Sequence, residues 1–230
     1  MKIIFLNAWQ GRQTSLIQNF ILENKSTTDI FCFQESRIRQ KSPVFCQSIL
    51  SDFQLFTTDK YFTNHNKFNQ STFIKNKFEI VDSKTIGENN SKVGLGLFTQ
   101  IKTPSGVLNL CNVHGRAFPG HKQDTPNRIR QSQLIIDFFK KLSGPKIIGG
   151  DFNLDFNTKS VQMFEDNGYK NLIKDFNIST TRNEIAWADY EIKQLFADYV
   201  FVSPDIKITN FSVPNNEISD HLPLILEIKI

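Results

Sequence analysis

Short apolar runs alternate with polar stretches along the chain, and turn-forming residues separate each run from the next. Apolar runs of about four to eight residues bounded by Gly, Pro, Asn, Asp or Ser are typical of buried strands. This pattern predicts strands at residues 3–6, 29–34, 107–113, 146–148, 196–202, 207–211 and 224–230. Between residues 53 and 101, shorter β-like pieces predict an antiparallel meander with polar loops.

Helices are predicted where apolar residues recur about every four positions. Residues 13–23 show this pattern. Residues 129–142 show it again, after a Thr125-Pro126 pair typical of an N-cap followed by proline in the first turn. Thr158 predicts the cap of a short helix, and residues 44–50 predict another. The alternation of strands and helices, without linker or repeat, predicts one α/β domain over residues 1–230.

The stretch Gly149-Gly150-Asp151-Phe152-Asn153 ends one of these predicted strands. Residues two positions apart in an extended chain project from the same face, so Asp151 and Asn153 are predicted to point together beyond the strand. The carboxyl ends of strands are where open α/β folds hold their ligands. The stretch is therefore a candidate functional site.

Other polar residues also flank apolar runs. The full set is Asn7, Glu35, His114, Asp151, Asn153, Asp198, Asp220 and His221. A single acid after a strand is more often a turn former, but so many in one chain indicate a site. Hard divalent cations prefer oxygen ligands, which Glu35 with one or more of Asp151, Asp220 and Asn7 would supply. A histidine oriented by a carboxylate would stabilise charge or transfer a proton. Together these groups indicate phosphoester hydrolysis.

Composition and charge narrow the class of protein. The chain is 39% hydrophobic and 22% charged, as is ordinary for a globular protein, and its 22 phenylalanines predict core filling. The net charge of +4 is compatible with a polyanionic partner without requiring one. Three cysteines without paired spacing argue against a disulfide scaffold or zinc site and favour a reducing compartment. No signal peptide or membrane span is evident, so a cytoplasmic monomer is predicted.

Six blocks carry a resemblance to a known family. They are Phe5-Leu6-Asn7, Phe33-Gln34-Glu35, Asn112-Val113-His114, Gly150-Asp151-Phe152-Asn153, Asp198-Tyr199-Val200-Phe201 and Ser219-Asp220-His221. In content and order they resemble the endonuclease/exonuclease/phosphatase superfamily, the DNase I-like enzymes. The resemblance implies a four-layered α/β sandwich, with two mostly antiparallel central sheets flanked by helices. It also implies Mg²⁺- or Mn²⁺-dependent hydrolysis of a phosphate ester.

The resemblance also implies roles for individual residues. Glu35 would be the main metal ligand, with Asn7 and Asp220 beside it. Asp151 would position or activate the attacking water, and Asn153 would orient the phosphate and Asp151. His221, held by Asp198, would stabilise the transition state. His114 would contact another phosphate oxygen or assist the leaving group, and the glutamate that pairs with this histidine in some members cannot be placed.

A basic stretch follows His114 and is similar to that of uncharacterised bacterial members of the superfamily. Arg116, Lys122 and Arg128 are predicted to bind a substrate phosphate, and Arg182 is another candidate. Arg128 falls in the first turn of a predicted helix, where a cation is disfavoured unless an anion or a carboxylate such as Asp124 compensates.

The leading functional hypothesis is a nuclease or phosphodiesterase acting on nucleic acid or nucleotides, supported by mild basicity and by Arg37, Arg39 and Lys41 directly after Glu35. A phosphomonoesterase, or a lipid or inositol phosphodiesterase, is the alternative. A non-catalytic module that binds phosphate ligands is a third hypothesis, disfavoured because every block is present. Trp187 and Tyr190 could stack on a base or pack on the core. Endonuclease and exonuclease action are not distinguished.

Overall fold

The computed structural model describes residues 1–36, 44, 46–58, 69–188 and 193–229. Twelve strands occur in this part of the chain: β1 Lys2–Asn7, β2 Ile30–Gln34, β3 Phe53–Thr57, β4 Gln70–Lys75, β5 Ile80–Ile86, β6 Leu95–Thr103, β7 Gly106–His114, β8 Lys146–Asp151, β9 Lys170–Asn171, β10 Asp198–Val202, β11 Lys207–Ser212 and β12 Leu224–Lys229. The α-helices are α1 Thr14–Asn24, α2 Pro126–Lys140, α3 Lys159–Asp166 and α4 Leu172–Asp175.

The strands form two six-stranded sheets, ordered β11-β12-β1-β2-β4-β3 and β5-β6-β7-β8-β10-β9. Each sheet contains one parallel pair, β1 with β2 and β7 with β8, and the other pairs are antiparallel. A helix connects each parallel pair, as the crossover between parallel strands requires. These sheets with their few helices form the α/β sandwich expected of a DNase I-like fold, so the predicted fold class is confirmed.

The two sheets pack face to face. Their inner faces share one hydrophobic cluster, to which Ile3 and Phe5 contribute from the first sheet and Leu110 and Ile148 from the second. A Cβ at Gly149 would lie 2.7 Å from the Phe5 ring, so this glycine is what lets β1 and β8 approach each other. The site residues at the ends of these strands are thereby held close across the sandwich.

The phenylalanines are largely core residues, as predicted. Phe31, Phe33 and Phe73 fill the space behind the first sheet, and Phe152, Phe164 and Phe201 form a stacked and edge-to-face group in the second. Phe118 is an exception, with 69% of its surface exposed.

Two secondary-structure predictions were wrong. Residues 46–50 form turns instead of a helix; the Leu50 N–H donates to the Cys46 carbonyl, but the pattern does not propagate. The predicted meander divides between the sheets, because β3 and β4 join the first and β5 and β6 the second. Short β-like pieces identified these strands, but such pieces carry no information about which sheet each one joins.

The cap of α3 also differs from the prediction. Thr158 occupies the N-cap position, but its hydroxyl donates to the Asp155 carbonyl and makes no capping bond. The Asp124 carboxylate instead accepts the N–H groups of Lys159 and Ser160 at 2.6 and 3.0 Å. Asp124 is therefore the cap of α3. Within the described ranges, no helix has the length and apolar character needed to cross a membrane.

Candidate active site

The strand pairing brings the predicted site residues together. Asn7 is the last residue of β1 and pairs in register with Gln34, so Glu35 follows directly beside it. In the second sheet, Asp151 pairs with His114 on one side and with Asp198 on the other. Parallel strands end at the same edge of a sheet, and β10 begins where β8 ends. The topology thus concentrates these polar side chains at one end of the sandwich.

Asp151 is at the centre of the hydrogen-bond network. Its carboxylate accepts the Asn153 backbone N–H at 2.8 Å, the Asn153 side-chain amide at 3.1 Å and the Asn7 amide at 2.9 Å. Burial alone would raise its pKa, but His221, Lys122 and His114 outweigh burial and lower the pKa to about 2. Asp151 is therefore ionised throughout the physiological range.

Asn153 contacts Asp151 as predicted, but for a different reason. The strand ends at Asp151, and Asn153 has a φ of +56°, in the left-handed region that asparagine tolerates better than most residues. The contact is a tight turn in which the aspartate side chain binds the backbone two residues on. The Asn153 amide also donates to the Gly115 carbonyl at 3.1 Å, which joins this turn to the end of β7.

His221 and Asp198 form a buried ion pair. His221 Nδ1 lies 2.8 Å from Asp198 Oδ2, and both residues are almost inaccessible to solvent. Burial opposes the charge on the imidazole, but Asp198, Asp220 and Asp151 raise the pKa of His221 to about 9. Burial also raises the pKa of Asp198, against the effect of His221. The imidazole is therefore cationic at neutral pH, with Nε2 4.0 Å from Asp151 Oδ2.

His114 lies on the opposite side of Asp151. Its Nε2 is 3.7 Å from Asp151 Oδ2 and 3.8 Å from Glu35 Oε1. Burial lowers the pKa of His114 despite these two carboxylates, so the ring is neutral at pH 7. The two histidines thus flank Asp151 in different charge states.

The donor set fits a hard divalent cation. Glu35 Oε1 and Asp151 Oδ2 both face Asn7 Nδ2, at 3.4 and 2.9 Å, so two anionic oxygens converge. Glu35 reaches this position with a φ of +52°. Oxygen-rich sites of this kind suit Mg²⁺ or Mn²⁺. The Asn7 amide oxygen accepts the Trp9 N–H, so here Asn7 presents its NH₂ group to the carboxylates.

A second group of potential ligands is less suitable. Single donor atoms of Asp151, Asp198 and His221 lie within 4.8 Å of one another. Asp198 already holds His221 in its protonated form, however, and a protonated imidazole nitrogen cannot coordinate a metal. Glu35 and Asp151 therefore remain the better anionic donors. Asp220 lies on the other side of His221, with Oδ2 4.0 Å from Nε2.

The predicted role of Arg128 in phosphate binding was wrong. Its side chain is fully buried, and all five guanidinium N–H groups donate to backbone carbonyls in the loop between β7 and α2. No donor remains for a substrate. Asp124, expected to compensate its charge, binds the N-terminus of α3 and acts on Arg128 without a direct hydrogen bond, whereas the loop carbonyls solvate the guanidinium.

The other two arginines have donors directed elsewhere. Arg116 binds the carbonyls of Ser91, Lys92 and Phe118 at the surface. Arg182 is 7% exposed and contacts Asp220 Oδ2 at 3.5 Å and Gln194 at 3.3 Å. Of these two, Arg182 is the one held against the site, beside His221 in an isolated bridge.

Some contacts in the site were not predicted. Lys122, predicted as a phosphate ligand, donates from Nζ to Asn153 Oδ1 in the centre of the site, and this contact with Asn153 was not predicted. The Ser219 hydroxyl donates to the Asn7 carbonyl at 2.7 Å and anchors the segment that carries Asp220 and His221. The Thr181 hydroxyl accepts the N–H of Asp198 at 3.2 Å. For Ser219, its place in the block Ser219-Asp220-His221 is the one sequence signal that could have indicated such a role.

Comparison with known proteins agrees with this geometry. A profile of the Endonuclease/Exonuclease/phosphatase family matches residues 5–221, which spans all six blocks. The chain belongs to this family. Its members are phosphoesterases, typically dependent on a divalent metal, and the chain carries the family's fold. A comparison with curated proteins found no match.

Solved structures of the family share the fold at low identity. A mannosyl-6-phosphatase from Bacteroides thetaiotaomicron is 16% identical, with a TM-score of 0.74 over 100% of both chains. The human Nocturnin catalytic domain with a bound sulfate is 17% identical, with a TM-score of 0.70 over 100% of this chain and 94% of that one. TDP2 from Caenorhabditis elegans is 13% identical, with a TM-score of 0.72 over 99% and 74%.

Proposed function

We propose that this protein is a divalent-metal-dependent phosphoesterase in which a water molecule attacks phosphorus at the Asp151 centre. The observation that carries the proposal is the convergence on one buried carboxylate of two amides, a neutral histidine and a cationic histidine. Such a set can hold a water, a phosphate and its developing negative charge in one place.

The protonation states support a role for each residue. Asp151, with a pKa of about 2, is a weak base, so it orients the attacking water more than it removes a proton. His221, cationic and oriented by Asp198, stabilises charge on the phosphoryl oxygens. His114 is neutral and offers a hydrogen bond to a phosphate oxygen, a role favoured over protonation of the leaving group.

Glu35 would hold the metal together with Asp151, since their oxygens converge at Asn7. Asn7 and Asp220 are proposed as further ligands. When bound, a divalent cation supplies Lewis-acid neutralisation of phosphate charge. Asn7 would have to turn its amide oxygen from the Trp9 N–H to coordinate directly. Otherwise it serves through the hydrogen bonds that fix Glu35 and Asp151.

We propose a phosphodiester of nucleic acid or a nucleotide as the leading substrate class. Support comes from the net charge of +4 and from Lys122 and Arg182, the two cations held at the site. Arg37, Arg39 and Lys41, which motivate the same hypothesis, lie outside the described residues, as does Tyr190. A cytoplasmic location and a monomeric state remain predictions.

A small phosphate monoester is the second candidate, favoured by one observation. A cavity of about 720 Å³ beside Arg182 is lined by Trp187, Glu184 and Glu217. An aromatic face with carboxylates suits a neutral polyhydroxyl group better than a polyanion. One family structure with the same fold is named a mannosyl-6-phosphatase, which makes sugar phosphates a reasonable test class.

A substrate panel tests the proposal. Purified protein with Mg²⁺ or Mn²⁺ is assayed on single- and double-stranded DNA, abasic DNA, RNA, nucleotides, bis-p-nitrophenyl phosphate, sugar phosphates and inositol phosphates. Metal-dependent cleavage of polynucleotides would support the leading class, and phosphate release from sugar esters alone would support the second. No turnover on any substrate, together with tight binding of phosphate ligands, would indicate a non-catalytic binding module.

A further inference from the structure

The side chain of Arg128, from the first turn of α2, lies at the centre of the loop between β7 and α2. Its guanidinium donates to the carbonyls of Arg116, Ala117, Pro119, His121 and Gln123 at 3.2, 3.1, 2.7, 2.5 and 2.6 Å. A rigid planar fork with five donors is matched here by five acceptors from one loop. The loop is therefore wrapped around a single side chain.

The same loop carries Lys122 into the site. The Lys122 carbonyl accepts the Asp155 N–H at 2.6 Å, which ties the loop to the chain beyond β8. Its ammonium donates to Asn153 Oδ1, and the Asn153 amide in turn donates to Asp151. Lys122 thus brings a positive charge to the pair of residues at which the proposed reaction occurs.

The Lys122 ammonium has more N–H groups than its contact with Asn153 uses. An ammonium carries three N–H groups, and the contact with Asn153 accounts for one of them. The Asn153 amide is neutral, so this contact does not cancel the charge of the ammonium. The other cation drawn from a loop, Arg182, is already paired with Asp220. Lysine binds phosphate as a compact point charge, for which this placement is suited.

We propose that Lys122 is a catalytic residue that contacts the substrate phosphate, and that Arg128 is the positioning residue that places it there. The inference rests on the proposed phosphoesterase function and deepens it. Lys122 binds a non-bridging oxygen and stabilises the charge that grows there. Arg128 never touches substrate; it fixes the loop path so that the lysine stem reaches Asn153.

A double-mutant cycle tests the assignment. Lys122→Met removes the charge and keeps the length of the stem, and we expect kcat to fall roughly 100-fold or more. Arg128→Lys keeps the charge but cannot bond to all five carbonyls. The loop then no longer holds Lys122 in place, so kcat should fall as well. The double variant is then no slower than Lys122→Met, because the two residues act as one unit. Lys122→Arg restores part of the loss.

Arg130→Lys is the matched control. Arg130 is an exposed arginine on the same helix, so its replacement leaves kcat within about twofold of wild type. Thermal unfolding is recorded for every variant. Should Arg128→Lys not fold, the Arg128 Nε–H is followed by NMR in the wild type, where a sequestered guanidinium exchanges slowly with water; rapid exchange would overturn the positioning role.

Failure of this inference is distinguishable from failure of the proposed function. An active wild type with Lys122→Met within about threefold of it overturns the inference and leaves the function standing. If the wild type hydrolyses nothing, the function fails, and binding of inorganic phosphate decides the role of Lys122. Affinity reduced about tenfold or more in Lys122→Met, but not in Arg130→Lys, supports phosphate contact, and equal affinity contradicts it.

Discussion

Replacing Asp198 with asparagine removes the carboxylate that keeps His221 protonated. The two side chains are 2.8 Å apart and both are buried, so the imidazolium loses its main source of stabilisation. Asparagine has nearly the same shape, so packing around β10 is retained. The variant therefore tests electrostatics with little change in structure.

The magnitude follows from the pKa of His221. Burial alone would depress it, yet the neighbouring carboxylates, with Asp198 first among them, raise it from 6.5 to about 9. Each pKa unit corresponds to about 1.4 kcal/mol, so the charged form is favoured in the folded protein by roughly 3 kcal/mol. Without Asp198, only Asp220 and Asp151 oppose burial, and the pKa should fall by more than about one unit.

The pKa of His221 is higher in the folded than in the unfolded protein, and this determines how the free energy of unfolding changes with pH. The contribution of His221 to stability is complete below about pH 6.5 and is lost as the pH rises towards 9. Wild-type stability should therefore lose roughly 3 kcal/mol from this residue over that window. In Asp198→Asn, most of this pH dependence of stability should be absent.

Two measurements check this prediction. NMR titration of the His221 imidazole gives its pKa in wild type and variant, and urea denaturation at pH 6 and pH 9.5 gives the free energies of unfolding. Asp166→Asn, on the exposed side of α3, is the control and should leave both unchanged. A wild-type His221 that titrates near 6.5, or a pKa unaffected by Asp198→Asn, would refute the reasoning.

Three further predictions concern other parts of the structure. Glu35→Gln should weaken Mn²⁺ binding at least about tenfold by calorimetry, and unchanged affinity would exclude Glu35 as the main ligand. Gly115→Ala should destabilise the protein by about 3 kcal/mol in urea denaturation, because a Cβ would lie 2.1 Å from the Phe152 carbonyl oxygen. Gly120→Ala is the control and should be neutral, because a Cβ there has no atom within 4 Å. Equal effects of the two substitutions would argue against this packing. Asp124→Ala should cost about 1 kcal/mol through loss of the α3 cap, whereas unaltered stability would show that the cap contributes nothing.

The strand ends were predictable from the sequence because each element carries a local signal. β1, β2, β7, β8 and β10 are apolar runs bounded by polar residues, and the predicted starts and ends agree with the structure within two residues, except that β8 extends three residues further, to Asp151. Parallel pairing of β1 with β2 and of β7 with β8 then brings the flanking residues together. Local pattern and topology point to the same place.

Contacts made by loops were not predictable in the same way. Arg128 at the start of α2 resembles a phosphate ligand by sequence, since a helix N-terminus favours anions. Its five partners are backbone carbonyls, which have the same chemistry in every sequence and leave no signal. The capping of α3 by Asp124, where Thr158 was predicted to cap it, has a similar cause. The capping carboxylate comes from a loop distant in sequence.

The partner of His114 shows another limit. No glutamate of the 53–101 region could be assigned to it from the sequence. In the structure, its Nε2 lies within 4 Å of the carboxylates of Glu35 and Asp151. Residues on both sheets meet at this histidine, and such a contact depends on how the sheets pack, which residue patterns along one strand do not specify.

The rate of metal-dependent phosphoester hydrolysis in Asp151→Asn tests the central claim most directly. The change keeps the shape of the side chain but removes the carboxylate on which Asn7, Asn153, His114 and His221 converge. With the best substrate of the panel and saturating Mn²⁺, we expect kcat to fall by about 10³-fold or more, with thermal stability recorded in parallel. A folded Asp151→Asn protein that turns over within about tenfold of wild type would contradict the account.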